Sequence, residues 1–346
     1  MNLRYYREYV RKLRAVELPH REYVRVCNEI FAMAALSQPG TIIMVVGPTR
    51  VGKTKARKQL FERLVPRETT SLSDVISAIC VEAAAADSGF FSMKHFTLRA
   101  LEEIHHPIFG DLSKDLGKLS YIPRMKHTET ALRLALERGL KVRRTRFLLI
   151  EEAHHMIRRK GKKRAGEILD SIKSLANTAE LVVVMFGGYD LLTVGLSSAH
   201  INGRLKIVHF PRYLPTKEDL PEFDRVLKTL SGILPIRPDE SLLNYRNDIY
   251  RGSLGCIGLV CEWCEAALAL MAARGDEFMG PEHFSATRYE RQLVEIKKDI
   301  EVGEKALVRM SMKKNPTEKK CHVDKSTQKR RKGQPFKRAA TRDHVI

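Results

Sequence analysis

Eight residues, GPTRVGKT from Gly47 to Thr54, limit what this chain can fold into more than any other stretch. They fit the spacing G-x-x-x-x-G-K-[ST], and their flanks matter as much as the pattern. TIIMVV (41–46) comes before them, a continuous apolar run rich in β-branched residues that reads as a strand buried on both faces. KARKQLFERL follows and reads as a helix. Strand, glycine loop and helix in that order make a phosphate cradle. The glycines let the loop curl with its N–H groups inward, and the helix N-terminus adds positive potential. Gly47, Pro48, Thr49, Arg50, Val51, Gly52, Lys53 and Thr54 are therefore the expected binding set for ATP. Lys53 is expected to reach the β- and γ-phosphates, and Thr54 to offer its hydroxyl to Mg2+.

Such a unit belongs in a parallel sheet, and the rest of the chain supplies one. Apolar runs at VISAICVEA (75–83), RFLLIE (146–151), ELVVVMF (180–186) and LKIVHF (205–210) alternate with helical patterns such as MKHFTLRALEEIHH and AGEILDSIKSLANTA. This predicts an α/β fold, a parallel five-stranded sheet flanked by helices, with its core over 41–215. Residues 1–40 read as a helical segment. Tyr5, Tyr9 and Leu13 recur at helical spacing, as do Tyr23, Val26, Ile30 and Met33, with Pro19 between the two stretches. After Pro211 no strong strand remains. LPEFDRVLKTLSGIL, GLVCEWCEAALALMAARG and the proline-opened GPEHFSATRYERQLVEIKKDIEVGEKAL read as three helices of a small lid over 216–308. Residues 309–346 are lysine-rich and poor in large apolar residues, a basic tail expected to be disordered alone.

The formal net charge is +20. From Lys313 to Ile346 there are twelve Lys and Arg against three Asp and Glu, or +9, which leaves +11 on residues 1–312. The excess lies on the folded body as well as the tail, so nucleic acid is the expected partner. No apolar run is long enough to span a bilayer, and MNLRYYREYVRKLR contains no apolar signal segment. A cytoplasmic chain without a membrane partner is expected. Six cysteines at irregular spacing fit a reducing compartment. Three of them, in CIGLVCEWC (256–264), lie in an apolar run and read as core packing.

A phosphate loop that hydrolyses ATP also needs acids at the end of a neighbouring strand, and FLLIEE provides two. Glu151 is expected to help hold Mg2+, partly through water, and Glu152 to orient the attacking water. Asp is usual at the metal-side position, and the longer Glu151 predicts slow hydrolysis. His154 and His155 come next without ligand spacing and read as helix-start or coupling residues, with no metal. Then comes RRKGKKR, six of whose seven residues are basic: Arg158, Arg159, Lys160, Lys162, Lys163 and Arg164. They form the first candidate for a polyanion surface. Arg124 and Lys126 in YIPRMKHTET are the second, and Lys94 the third. None carries a base-reading motif or paired aromatics. Contact with the nucleic-acid backbone is expected, tolerant of sequence and steeply salt dependent.

GPTRVGKT, the strand ICVEA, LLIEEAHHMI and SIKSLANTAELVVVMFGGYDLL together resemble the AAA+ ATPase regulators of DNA transposition, the TnsC/TniB family. Order and spacing agree over about residues 15–215, and IKSLAN is the most family-specific phrase. The resemblance implies an AAA+ P-loop ATPase that oligomerises with ATP, as a ring or helical filament, on double-stranded DNA. It implies a protein that marks a target site and recruits a transposase, with hydrolysis driving disassembly, in a bacterial, nucleoid-associated setting. A target-selection protein, in some relatives an RNA-guided complex, is a further implied partner. RRKGKKR would face the central channel, and Arg204 in INGRLKIVHF would reach the neighbouring subunit's nucleotide. The polar sensor usual at the end of the fourth strand is replaced by Gly187-Gly188, leaving Tyr189 or Asp190. The lid helix lacks its sensor arginine, with Arg251 in RGSLG as a nearby substitute. Two other readings share these motifs: an AAA+ ATPase of the replication-initiator or helicase-loader type, and a DNA-binding scaffold whose nucleotide is structural.

Overall fold

Five apolar runs become five strands, all parallel. The computed structural model describes residues 3–65, 75–84, 90–109, 127–157, 161–195, 205–288 and 290–314. In chain order its elements are α1 (Leu3–Ala15), α2 (Arg21–Leu36), β1 (Ile42–Val46), α3 (Lys53–Leu64), β2 (Ala78–Glu82) and α4 (Met93–Glu103). Next come α5 (Glu129–Val142), β3 (Phe147–Glu151), α6 (Gly161–Thr178), β4 (Val182–Gly187), α7 (Leu192–Gly195) and β5 (Leu205–His209). The chain then turns helical, with α8 (Leu220–Ser231), α9 (Arg246–Ser253), α10 (Ile257–Arg274), α11 (Pro281–Ala286) and α12 (Glu290–Lys314). The described residues up to Leu307 form one compact unit.

The strand order is β2-β3-β4-β1-β5, which places β1 between β4 and β5. Ile42 lies opposite Val183 and Leu205, and Val46 opposite Gly187 and His209. The three carboxyl ends therefore finish together, and the loop after Val46 leaves from the middle of them. The chain leaves β1 toward β2 and later crosses back over β1 from β4 to β5. Ligands of open parallel sheets bind outside the carboxyl ends at such a reversal.

Burial on both faces explains the apolar runs. Every residue of β1 and β4 is buried. On one face Val26, Ile30 and Ala34 of α2 and Ala56, Leu60 and Leu64 of α3 pack against Ile43, Val45, Leu149 and Val184. Each large aliphatic side chain so buried contributes about 1.5–3 kcal/mol. A second core joins Phe223, Leu227 and Leu230 of α8 to Val260, Trp263, Cys264, Leu268 and Met271 of α10 and Phe284 of α11. Leu13 of α1 belongs to that second core, with Tyr6, Tyr9 and Val10 beside it. So the two N-terminal helices part company: α2 serves the sheet and α1 serves α10, where Arg14 makes a two-pronged bond to Glu265 at 3.1 and 2.9 Å.

Two boundaries differ from expectation. The proline-opened stretch forms two helices, α11 and α12, instead of one. Trp263 Nε1 donates to the Phe284 carbonyl at 3.0 Å, and the Thr287 hydroxyl donates to the His283 carbonyl at 2.7 Å. Those bonds satisfy the end of α11 and stop it there. In addition, α6 starts at Gly161, so Lys162, Lys163 and Arg164 stand in its first turn. Among the described residues no single helix is long and apolar enough to cross a membrane.

Candidate nucleotide site

The loop after β1 is shaped by three glycines. Gly52 caps α3 with φ 114, a left-handed conformation that a side chain would strain, and Arg50 also holds a left-handed φ of 59. At Gly47 a Cβ would collide with the Phe210 carbonyl oxygen, so the loop lies directly on the exit of β5. At Gly258 a Cβ would collide with the Arg50 carbonyl oxygen, so the first turn of α10 presses on the loop from the lid side. Arg50 Nε meets Glu262 of α10 at 3.2 Å and fastens that contact. Lys53 Nζ folds back over the loop and donates to the carbonyls of Gly47 (3.0 Å) and Pro48 (2.6 Å). Burial pulls the Lys53 amine down to about 8, against the raising effect of Glu152, Cys256 and Asp299. Thr54 is exposed in the first turn of α3. A glycine-lined backbone cradle with one half-buried ammonium fits a polyphosphate chemically.

The two acids at the end of β3 part ways. Glu151, the last strand residue, meets Arg57 Nη2 of α3 at 3.1 Å, with side chains only 19% and 14% exposed. Glu152 takes a left-handed φ of 51, which turns the chain out of the strand into a 3-10 turn at Ala153–Met156. Its carboxylate is 41% exposed and lies 3.1 Å from His154 Nδ1. Donor atoms of Glu152, His154 and His155 come within 4.8 Å of one another, an assembly that the sequence spacing did not announce, because the tight turn gathers consecutive residues. Arg57 is a residue the motif does not include. It stands one helical turn past Lys53, on the side of α3 that meets β3. Beside it the Cys80 thiol is pushed up to about 11 by burial, against the opposing pull of Arg57.

At the ends of the other strands, Gly187 packs against Leu191 and His154, and Tyr189 is buried with its hydroxyl 3.0 Å from His209 Nε2. Burial lowers the His209 pKa. Asp190 is exposed, as is Arg251 on α9. Arg212, just after β5, makes a forked contact with Glu304 of α12 at 2.9 and 3.2 Å. Neither Arg57 nor Arg212 was singled out from the sequence. Their only signal is position, one turn after the phosphate loop for Arg57 and just past a strand's carboxyl end for Arg212.

Arg204, Arg124, Lys126, Arg158, Arg159 and Lys160 lie outside the described residues. Lys94 is exposed in the first turn of α4. Cys264 is buried in the second core, while His283 pairs with Asp276 at 2.9 Å and accepts the Gly280 N–H at 3.0 Å.

Sheet order, the phosphate loop after interior strand β1 and the acids at the end of β3, with β4 between those two strands, define the fold of an AAA+ P-loop ATPase. Residues 37–194 match the family model described as AAA domain. Among solved structures, the Walker-type ATPase of Pyrococcus abyssi is similar at 16% identity and a TM-score of 0.45, over 84% of this chain and 76% of that one. The ORC2 protein of Aeropyrum pernix in its ADP form gives 12% identity and a TM-score of 0.49, over 80% and 69%. Drosophila ORC bound to DNA gives 16% and 0.49, over 82% and 65%. No curated protein matches the sequence.

Proposed function

We propose that this chain is an ATP-hydrolysing, DNA-binding AAA+ protein that assembles on duplex DNA, and that it regulates transposition in the manner of the TnsC/TniB family. The observation that carries the ATPase reading is the division of labour at the end of β3. Glu152 stands on the open side of the strand end, where an acid can orient water, and Lys53 lies half-buried over the loop. ATP would be held by Gly47–Thr54 and Mg2+ by Thr54 with Glu151. Bound Mg2+ would neutralise charge on the transferring phosphoryl group. Glu152 accepts a proton from the attacking water, with His154 Nδ1 3.1 Å from its carboxylate. The Arg57 contact keeps Glu151 occupied, so release of that pair belongs to the cycle and turnover is slow.

The DNA-binding half rests on charge. Residues 1–312 carry +11. Lys162, Lys163 and Arg164 occupy the first turn of α6, where the helix dipole opposes cations by about 0.3–1 kcal/mol each at the surface. A polyanion relieves that cost. Arg204 would complete a neighbour's nucleotide site in the assembly, and a transposase and a target-selection protein would dock on it. The transposition reading rests on IKSLAN and its neighbours. A helicase-loader type protein would instead bind a helicase. A nucleotide-bound scaffold is favoured by one observation, the Arg57–Glu151 pair, and would show equal turnover for wild type and Glu152→Gln.

Electron microscopy of the protein with duplex DNA and a non-hydrolysable ATP analogue tests the proposal. Rings or filaments on DNA that depend on the analogue are expected. Monomers under those conditions would refute assembly.

A further inference from the structure

Where β5 ends, the chain stays against the phosphate loop. The Phe210 N–H donates to the Val46 carbonyl at 2.8 Å, and its own carbonyl fills the space a Gly47 side chain would need. Two residues on, Arg212 is 19% exposed. Its Nη1 donates to the Leu254 carbonyl at 3.1 Å, and its other nitrogens grip the Glu304 carboxylate. Cys256, two residues past Leu254, lies in the electrostatic reach of both Arg212 and Lys53. Tyr189 lies in reach of Glu304, Cys256, Arg212 and Asp299. The guanidinium and the P-loop ammonium thus share one neighbourhood, outside the carboxyl ends of β4, β1 and β5.

A planar fork on a carboxylate is also the geometry with which arginine takes a phosphate. The helix that brings the carboxylate comes very close. Gly303 of α12 is buried against Tyr189, where a Cβ would overlap the ring, and Ile300 one turn earlier is buried too. Asp299 adds a second acid within reach of Lys53. An acidic helix face therefore meets the cations of the site.

We propose that Arg212 is a phosphate-binding arm of the nucleotide site and that Glu304 is the internal anion occupying it until a nucleoside triphosphate arrives. This rests on Gly47–Thr54 being that site. Carboxylate and phosphate compete for one guanidinium, so docking of α12 and binding of ATP oppose each other. Nucleotide then sets the position of the C-terminal helix.

Titration of the full chain with a fluorescent ATP analogue and Mg2+ tests this. Glu304→Gln removes the competing charge, and Gly303→Ala wedges α12 away from Tyr189. Each should tighten ATP binding about tenfold, the scale of one charge-assisted bond. Arg212→Gln should weaken it by about as much, and adding Arg212→Gln to Glu304→Gln should erase the gain. ATP should also expose α12 to trypsin in the wild type but not in Arg212→Gln. Glu304→Gln is isosteric, and its thermal midpoint without nucleotide checks folding should Gly303→Ala fail to fold. Binding by folded Glu304→Gln no tighter than wild type, with Lys53→Ala abolishing it, overturns this proposal and leaves the site standing. Equal binding by wild type and Lys53→Ala overturns both.

Discussion

Adjacent acids should fail in opposite ways when neutralised. Glu151→Gln leaves the Arg57 guanidinium without a charged partner in a setting where both side chains are less than one-fifth exposed. Breaking a fully buried pair costs about 3–5 kcal/mol, and the residual solvent contact here reduces that to about 2–3 kcal/mol. For a chain of this size the melting midpoint should fall by roughly 3–5 °C. Glu152→Gln alters a group that is 41% exposed and should change stability by less than about 0.5 kcal/mol. Arg57→Leu should cost about as much as Glu151→Gln. The double variant should lie about 1–3 kcal/mol above the sum of the two. Denaturant unfolding without nucleotide measures all four. Additive singles, or a Glu151→Gln as mild as Glu152→Gln, would refute the view that Glu151 is held inward by Arg57.

Three further outcomes are expected. Gly47→Ala should weaken nucleotide binding and cost about 1–3 kcal/mol of stability, because its methyl meets the backbone carbonyl of Phe210 with no flexible neighbour to yield; unfolding and titration of that variant check it. Acid should destabilise the fold through His20, whose Nδ1 accepts the Tyr23 N–H at 3.3 Å and lies 2.9 Å from the Tyr213 hydroxyl, and whose pKa burial lowers to about 4. The folded value lies below the unfolded one, so this stability is complete above about pH 6.5 and is lost as the pH falls through about 4, worth about 3 kcal/mol at most. His20→Asn keeps a cap acceptor and should flatten unfolding free energy over that window. Neutralising the basic residues of 158–164 should weaken DNA binding equally across sequences and lower the salt slope by up to about 5, with ATP binding intact; filter binding at several salt concentrations reads both.

How much was legible in the sequence follows from where each interaction lies along the chain. The strands were, because β1 and β4 are buried on both faces and so carry unbroken apolar runs. The phosphate loop was, because its chemistry is contained in consecutive residues. Strand order was not, since β1, β3 and β4 read alike. The Arg57–Glu151 and Arg212–Glu304 pairs join residues about ninety apart, and no local pattern announces such a partner. The break between α11 and α12 escaped notice because the carbonyls that end α11 are taken by Trp263, a residue of another helix, and by the Thr287 hydroxyl. The aromatic stripe of α1 was visible as a face, while its partner α10 lies more than two hundred residues away.

ATP turnover in the presence of Mg2+ and duplex DNA, compared across wild type, Lys53→Ala and Glu152→Gln, tests the ATPase reading most directly. The account predicts slow turnover by the wild type, no nucleotide binding by Lys53→Ala, and nucleotide binding without turnover by Glu152→Gln. Equal turnover by all three would contradict it.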